Sequence, residues 1–122
     1  MPPELLQRRA DALIERCYAG LDAAALLREV AARLKPAAGV DAAFIATVDP
    51  ATLLFTSAIS EEPLIEAAPA FLANELAGHD VNRFTDLAAA PHPARTLDQA
   101  TRGDRDSSAR HAAIMRPLGL GD

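Results

Sequence analysis

Apolar residues recur at helical spacing through the first third of the chain, give way to near-continuous apolar runs between residues 40 and 59, and return to helical spacing after residue 63. Pro2 and Pro3 suit a first helical turn, where a missing N–H costs nothing, and predict a helix from about Pro3 to Ala19. Its stripe, Leu6, Ala10, Leu13 and Cys17, alternates spacings of four and three. Such a stripe serves either the domain's own core or a second copy of the chain. In "GLDAAALLREVAARLKP", Gly20 closes the first helix and Asp22 is an N-cap, while Leu26, Leu27, Val30 and Leu34 share one face and Pro36 is expected to end the run.

The pattern changes at "GVDAAFIATVDPATLLFTSAIS". Two β-branched and aromatic runs, Val40–Val48 and Thr52–Ile59, flank Asp49-Pro50-Ala51-Thr52, which fits a type I turn and predicts an antiparallel hairpin. Both runs are apolar on nearly every residue, so both faces call for cover, or one face for a cavity. A helix then enters at Pro63, with an interruption expected at Pro69 and Phe71, Leu72 and Leu76 facing inward. Residues 79–96 read as loop with at most one short turn. Thr96 and Gln99 have capping-box spacing, and a last helix is expected from Asp106 or Ser107 to Pro117. The fold class is therefore α+β: an N-terminal helix pair, a hairpin, then helices and loops covering one face, in a single domain.

Composition narrows the function classes. Of 122 residues 28 are Ala and five are aromatic, so the large side chains that supply most burial energy are few. The net charge of −5 argues against a nucleic-acid surface, which needs clustered Lys and Arg. Cys17, the single cysteine, excludes an internal disulfide, and the charged N-terminus lacks the apolar centre of a secretory signal. On those two grounds a cytoplasmic location is expected, and no apolar run approaches the ~18 residues of a membrane span.

Candidate chemistry is sparse. His79, His92 and His111 lie 13 and 19 residues apart with no ligand spacing, so no metal site is expected. His79 and Asp80 have the pairing of an acid and its orienter, yet following "LAG" they read as a helix end and turn. Ser57 and Ser60 lack a G-x-S-x-G setting, and no glycine-rich phosphate loop is present. Cys17, on an apolar stripe, reads as an inert packed thiol. Glu61 and Glu62 fit a helix start, and Asp98, Arg102, Asp106 and Arg110, four apart, suggest local surface pairs. No catalytic residue and no cofactor are expected.

Five stretches in order, "CYAGLDAAALLREVAARL", "VDAAFIATVDPATLLFTSAI", "FLANELAGHDVNRFTDLA", "TLDQATRGD" and "SARHAAIMRPLGLGD", resemble the N-terminal half of the GAF-like sensory domain of bacterial LuxR-type transcription regulators. The resemblance covers roughly residues 13 to 122. It implies a truncated GAF-like domain, with "PLGLGD" approaching a third strand and the helix-turn-helix lying beyond. It further implies a small-molecule effector held by Phe44, Ala46, Phe55 and Ser57 on the hairpin with Asn82 and Phe84 on a covering loop. The effector itself does not transfer with a fold. A homodimer through Leu6, Ala10, Leu13 and Cys17, with or without a ligand, is the accompanying expectation, with no contact to nucleic acid or membrane.

Overall fold

The computed structural model describes residues 1–121 and is α+β: among these residues are five α-helices, three short helical turns and one two-stranded antiparallel sheet. The chain divides into two compact units, Met1–Leu64 and a second beginning at Ile65.

In the first unit, α1 (Pro3–Cys17) packs along α2 (Ala23–Ala38). Asp22 caps α2 as expected, its carboxylate accepting from the Ala25 N–H at 2.7 Å. Pro36 does not end the helix. It lies within the last turn, and the stop falls at Gly39, whose φ of 69° is the left-handed conformation that glycine adopts without a Cβ clash. Proline at this point forfeits one intrahelical bond, and its own carbonyl accepts from Arg9 Nη1 at 3.0 Å, tying α1 to the end of α2.

The strands are shorter than their apolar runs: β1 spans Phe44–Val48 and β2 Phe55–Ser60. Phe44 pairs with Ser60, Ile45 with Ile59, Ala46 with Ala58 and Thr47 with Ser57; the register then slips so that Val48 faces Phe55. Thr56 is the extra residue of this bulge, and its hydroxyl meets that of Thr47 at 2.8 Å. The connection is wider than the expected four-residue turn. Asp49 Oδ1 accepts from the Ala51 N–H, the Asp49 carbonyl accepts from the Leu53 N–H, and Leu53 takes a φ of 59°. Glu61 meets the next helix through its main-chain carbonyl, which accepts from the Leu64 N–H at 2.7 Å, and its side chain is engaged elsewhere. Its carboxylate takes Lys35 at 2.8 Å and the Ala43 N–H, joining α2 to the hairpin, and the Lys35 bond holds its pKa below the usual carboxylate range against the opposing effect of burial. No strand residue is buried.

In the second unit, α3 (Leu64–Ala77) runs unbroken through Pro69, where interruption was expected. The inward positions also differ: Leu72 and Leu76 are exposed, while Glu75 is buried and Phe71 and Asn74 are half-buried. Phe71, Asn74 and Glu75 are spaced as one helical face, so the face that turns inward is mixed rather than apolar. The stretch read as loop contains α4 (Phe84–Ala89). At α5 (Leu97–Thr101) the capping box is present in both directions, Gln99 N–H to Thr96 Oγ1 at 3.1 Å and Thr96 N–H to Gln99 Oε1 at 2.9 Å. The expected last helix is instead a 3-10 turn (Arg105–Ser107), a π-helical turn (His111–Met115) and a second 3-10 turn (Arg116–Leu118). Ser108 interrupts it: the residue is buried, extended in backbone, and its Oγ accepts from the His111 N–H at 3.2 Å.

Among the described residues the buried apolar ones are Leu27 and Ala31, in the first unit, and the buried polar ones are Glu75, Ser108 and His111, in the second. An Ala-rich chain has little apolar volume to enclose, and polar side chains take over part of the packing.

Candidate functional site

The second unit is organised by one charged network. Arg110 Nη2 donates to Glu75 Oε2 at 2.6 Å and Arg110 Nε to Asn74 Oδ1 at 2.8 Å, while the guanidinium lies 4.4 Å from the centre of the Phe71 ring. Glu75 Oε1 accepts the Phe84 N–H at 2.6 Å, fixing the start of α4. Asp80 accepts from Asn74 Nδ2 at 2.8 Å, from the Arg110 N–H at 2.7 Å and from the Val81 N–H at 2.8 Å. Burial pushes the Asp80 carboxyl up, but these bonds and one from Ser108 together outweigh it and hold the group below the ordinary carboxylate range. Glu75 and Arg110 are 35 residues apart and no local pattern joins them. The i, i+4 series at residues 98–110 dissolves correspondingly: Asp98 pairs with Arg105, Asp106 with Arg116 and His111, and Arg110 with Glu75.

Beside this network lies a cavity of about 220 Å³. Phe71, Val81, Leu97 and Met115 form its apolar walls, and Asn82, Arg95, Ser108 and His111 contribute polar groups. His111 and Met115 are the two ends of the π-helical turn. Such turns are rare and recur at functional sites. Asn82, at a φ of 53°, turns the chain beside the cavity and donates its Nδ2 to the carbonyls of Arg95 and Thr96 at 3.2 and 3.1 Å. Asp106 Oδ1 lies 3.0 Å from His111 Nδ1, which assigns the proton to that nitrogen in the neutral ring.

No protein-family model, no curated protein and no solved structure matches this chain.

The sequence-predicted pocket draws on both units. On the hairpin, Phe44, Ala46 and, across the bulge, Phe55 share a face, with the two rings 5.5 Å apart. Ser57 pairs with Thr47 and therefore lies on the opposite face. In the second unit, Asn82 lines the cavity, whereas Phe84 starts α4 with its ring 6.2 Å from that of Phe71. Arg95, Leu97, Ser108, His111 and Met115 were missed as site residues, because their convergence depends on the turns after α5. The wider signal was the capping box at Thr96, which fixes where Arg95 and Leu97 stand.

His79 is exposed and Asp80 is committed to holding Asn74, Val81 and Arg110, so the pair is not arranged as acid and orienter. Among the described residues no group of three His, Cys, Asp or Glu side chains is placed to hold a metal ion. No described helix is long and apolar enough to cross a membrane. Of the expected seam, Leu6, Ala10 and Cys17 are exposed and Leu13 is half-buried. Cys17 is thus not a packed thiol: α1 is tied to α2 by Arg9, which reaches the Pro36 carbonyl, and Arg16, which reaches Glu29; Ala12 and Leu13 are half-buried, and of the stripe Leu6, Ala10 and Cys17 are left exposed.

Proposed function

We propose that the chain is a sensory module of the GAF-like type found in LuxR-type transcription regulators, a cytoplasmic component that binds a small-molecule effector. The observation that carries this reading is the cavity beside the Glu75–Arg110–Asp80 network. An apolar-walled space with a few convergent polar groups, held by a rigid ion-paired frame, is what a small-ligand site requires. The order of helix pair, hairpin and further helices supports it, as does the acidic charge, which assigns these residues input rather than DNA contact. The test is thermal unfolding of the chain, followed by circular dichroism, against a panel of small organic acids, amines and nucleotides. A ligand that binds only the native state raises the midpoint in proportion to the logarithm of its concentration. A panel without any such member would refute the reading.

A second reading, a homodimeric interaction protein with no ligand, is favoured by the stripe on α1. Leu6 is 49% exposed and Ile14 53%, with Ala10 and Cys17 between them on one side of the helix. Sedimentation equilibrium should then give a dimer that Leu6→Asp, a change at an exposed position of the stripe, dissociates, and Cys17 should label more slowly with a thiol reagent as protein concentration rises. A monomer with concentration-independent labelling would dismiss it.

A further inference from the structure

One ring of the second unit is buried, held at one nitrogen and free at the other. The His111 side chain is 9% exposed, and Asp106 Oδ1 stands 3.0 Å from its Nδ1 while the same carboxylate takes Arg116. With the proton drawn to Nδ1, the neutral ring keeps a lone pair on Nε2, which is then an acceptor. Among the described residues no group donates to Nε2. The side-chain nitrogens and oxygens that are both shut off from solvent and unpartnered there are Arg16 Nε, Ser60 Oγ and Asn82 Oδ1, so Nε2 is reachable from open space. The space that His111 borders is the cavity of about 220 Å³. Other polar groups on its wall are engaged: Ser108 Oγ accepts the His111 N–H and bonds Asp80, the Asn82 amide donates to two carbonyls, and Arg110 is tied to Glu75.

We infer that Nε2 opens on this cavity, and that the cavity takes a small uncharged molecule, apolar but for a hydroxyl or N–H that donates to His111 Nε2, its body lying against Phe71, Val81, Leu97 and Met115. The inference rests on the sensory reading above and names the chemical class that the site selects. An acceptor in an apolar-walled space selects a donor, because a ligand without one leaves the imidazole lone pair stripped of water and unpaired. The charges around the ring are already matched, Asp106 with Arg116, Asp98 with Arg105 and Glu75 with Arg110. A charged ligand would therefore lose its water with no buried counter-charge to meet. Arg95 is exposed, and an ion pair to it would be screened by solvent. Size agrees: an apolar cavity of about 150 Å³ is enough to hold benzene, so about 220 Å³ suits one substituted ring. Phe71 and Met115 in the wall favour such a ring through ring–ring and sulfur–aromatic contact.

The test titrates the intact, 15N-labelled chain with phenol at about pH 8, where an ordinary imidazole is neutral. Amide NMR shifts locate the binding, and the imidazole nitrogen signals read the anchor. His79→Gln and His92→Gln, both at exposed positions, leave His111 as the one ring to be read. Saturable shifts are expected at Val81, Leu97, His111 and Met115, with the Nε2 signal of His111 moving in step as it accepts the phenol O–H. Methoxybenzene, whose oxygen has no hydrogen to give, should bind about fivefold more weakly, the value of one neutral hydrogen bond, and benzoate more weakly still. In His111→Phe the preference for phenol over methoxybenzene should vanish. If that variant does not fold, the Nε2 signal of the unaltered ring decides alone. Equal binding of phenol and methoxybenzene, or an Nε2 signal that stays in place while the cavity amides saturate, would overturn the anchor and leave small-molecule sensing intact. Tighter binding of benzoate would overturn the uncharged class. Silence toward all three compounds, or shifts only away from the cavity, would overturn the site, and the sensory reading would then stand or fall on the ligand panel alone.

Discussion

Replacing Glu75 with Ala removes two acceptors at once: Oε2, which takes Arg110 Nη2 at 2.6 Å, and Oε1, which takes the Phe84 N–H at 2.6 Å. The Glu75 side chain is 6% exposed and that of Arg110 13%, so the guanidinium left behind cannot turn fully to water. Breaking a buried ion pair from one side costs about 3–5 kcal/mol. Arg110 keeps Asn74 Oδ1 and the face of Phe71, which argues for the lower end, about 3 kcal/mol. Against the usual ~5–15 kcal/mol of net stability, that is a large fraction. In urea, with a slope of about 1.5–2 kcal/mol/M, the midpoint should fall by roughly 1.5–2 M, read by far-ultraviolet circular dichroism because the chain has no Trp. Amide exchange should show the loss of protection concentrated in the second unit, around α3, α4 and residues 108–115. Should Glu75→Ala prove unfolded, the double variant Glu75→Leu with Arg110→Met decides: removing both charges together should recover part of the loss, with about 1–3 kcal/mol still missing because the Phe84 N–H and Asn74 Oδ1 lose these partners. An unchanged midpoint in Glu75→Ala, or a double variant no better than the single one, would refute the claim that this pair holds the unit together.

The same network predicts an acid limb. Because the folded Asp80 carboxyl is held below its ordinary pKa of 3.8, its contribution is complete above that value and is lost as pH falls through the depressed native one. Asp80→Asn should therefore be less stable at neutral pH and show a shallower decline between about pH 4 and pH 2; a parallel limb would point to other carboxylates. Gly78→Ala should cost about 1–2 kcal/mol in chemical unfolding, since φ there is +81° and an added Cβ would stand 3.3 Å from Arg83 Nη1, whose side chain is tied to Asp86. A neutral change would mean that the turn into residues 79–83 relaxes freely. Thr96→Ala, which removes one half of the capping box, should lower stability by about 1 kcal/mol; amide exchange at Gln99 should accelerate, and unaltered exchange would show that the cap is dispensable.

Local patterns determined much of this protein. Prolines at the start of α1, Asp22 before α2, the two β-branched runs and the Thr96/Gln99 pair each act within a few residues, and each element they predicted is present. Where the outcome depends on which local signal is stronger, the sequence misleads: Gly39 rather than Pro36 stops α2, because a left-handed residue ends a helix while a proline in its last turn costs one bond. The inward face of α3 is a deeper failure of the same kind. Hydrophobicity favoured Leu72 and Leu76, but burial went to Glu75, because Arg110 arrives from 35 residues away to neutralise it. That pairing, the π-helical turn at His111–Met115 and the convergence of Asn82 with Arg95 are tertiary decisions. Helix and strand propensities are set by neighbours along the chain, whereas the partner of a buried charge and the walls of a cavity are set by whichever segments the folded backbone brings within a few ångströms.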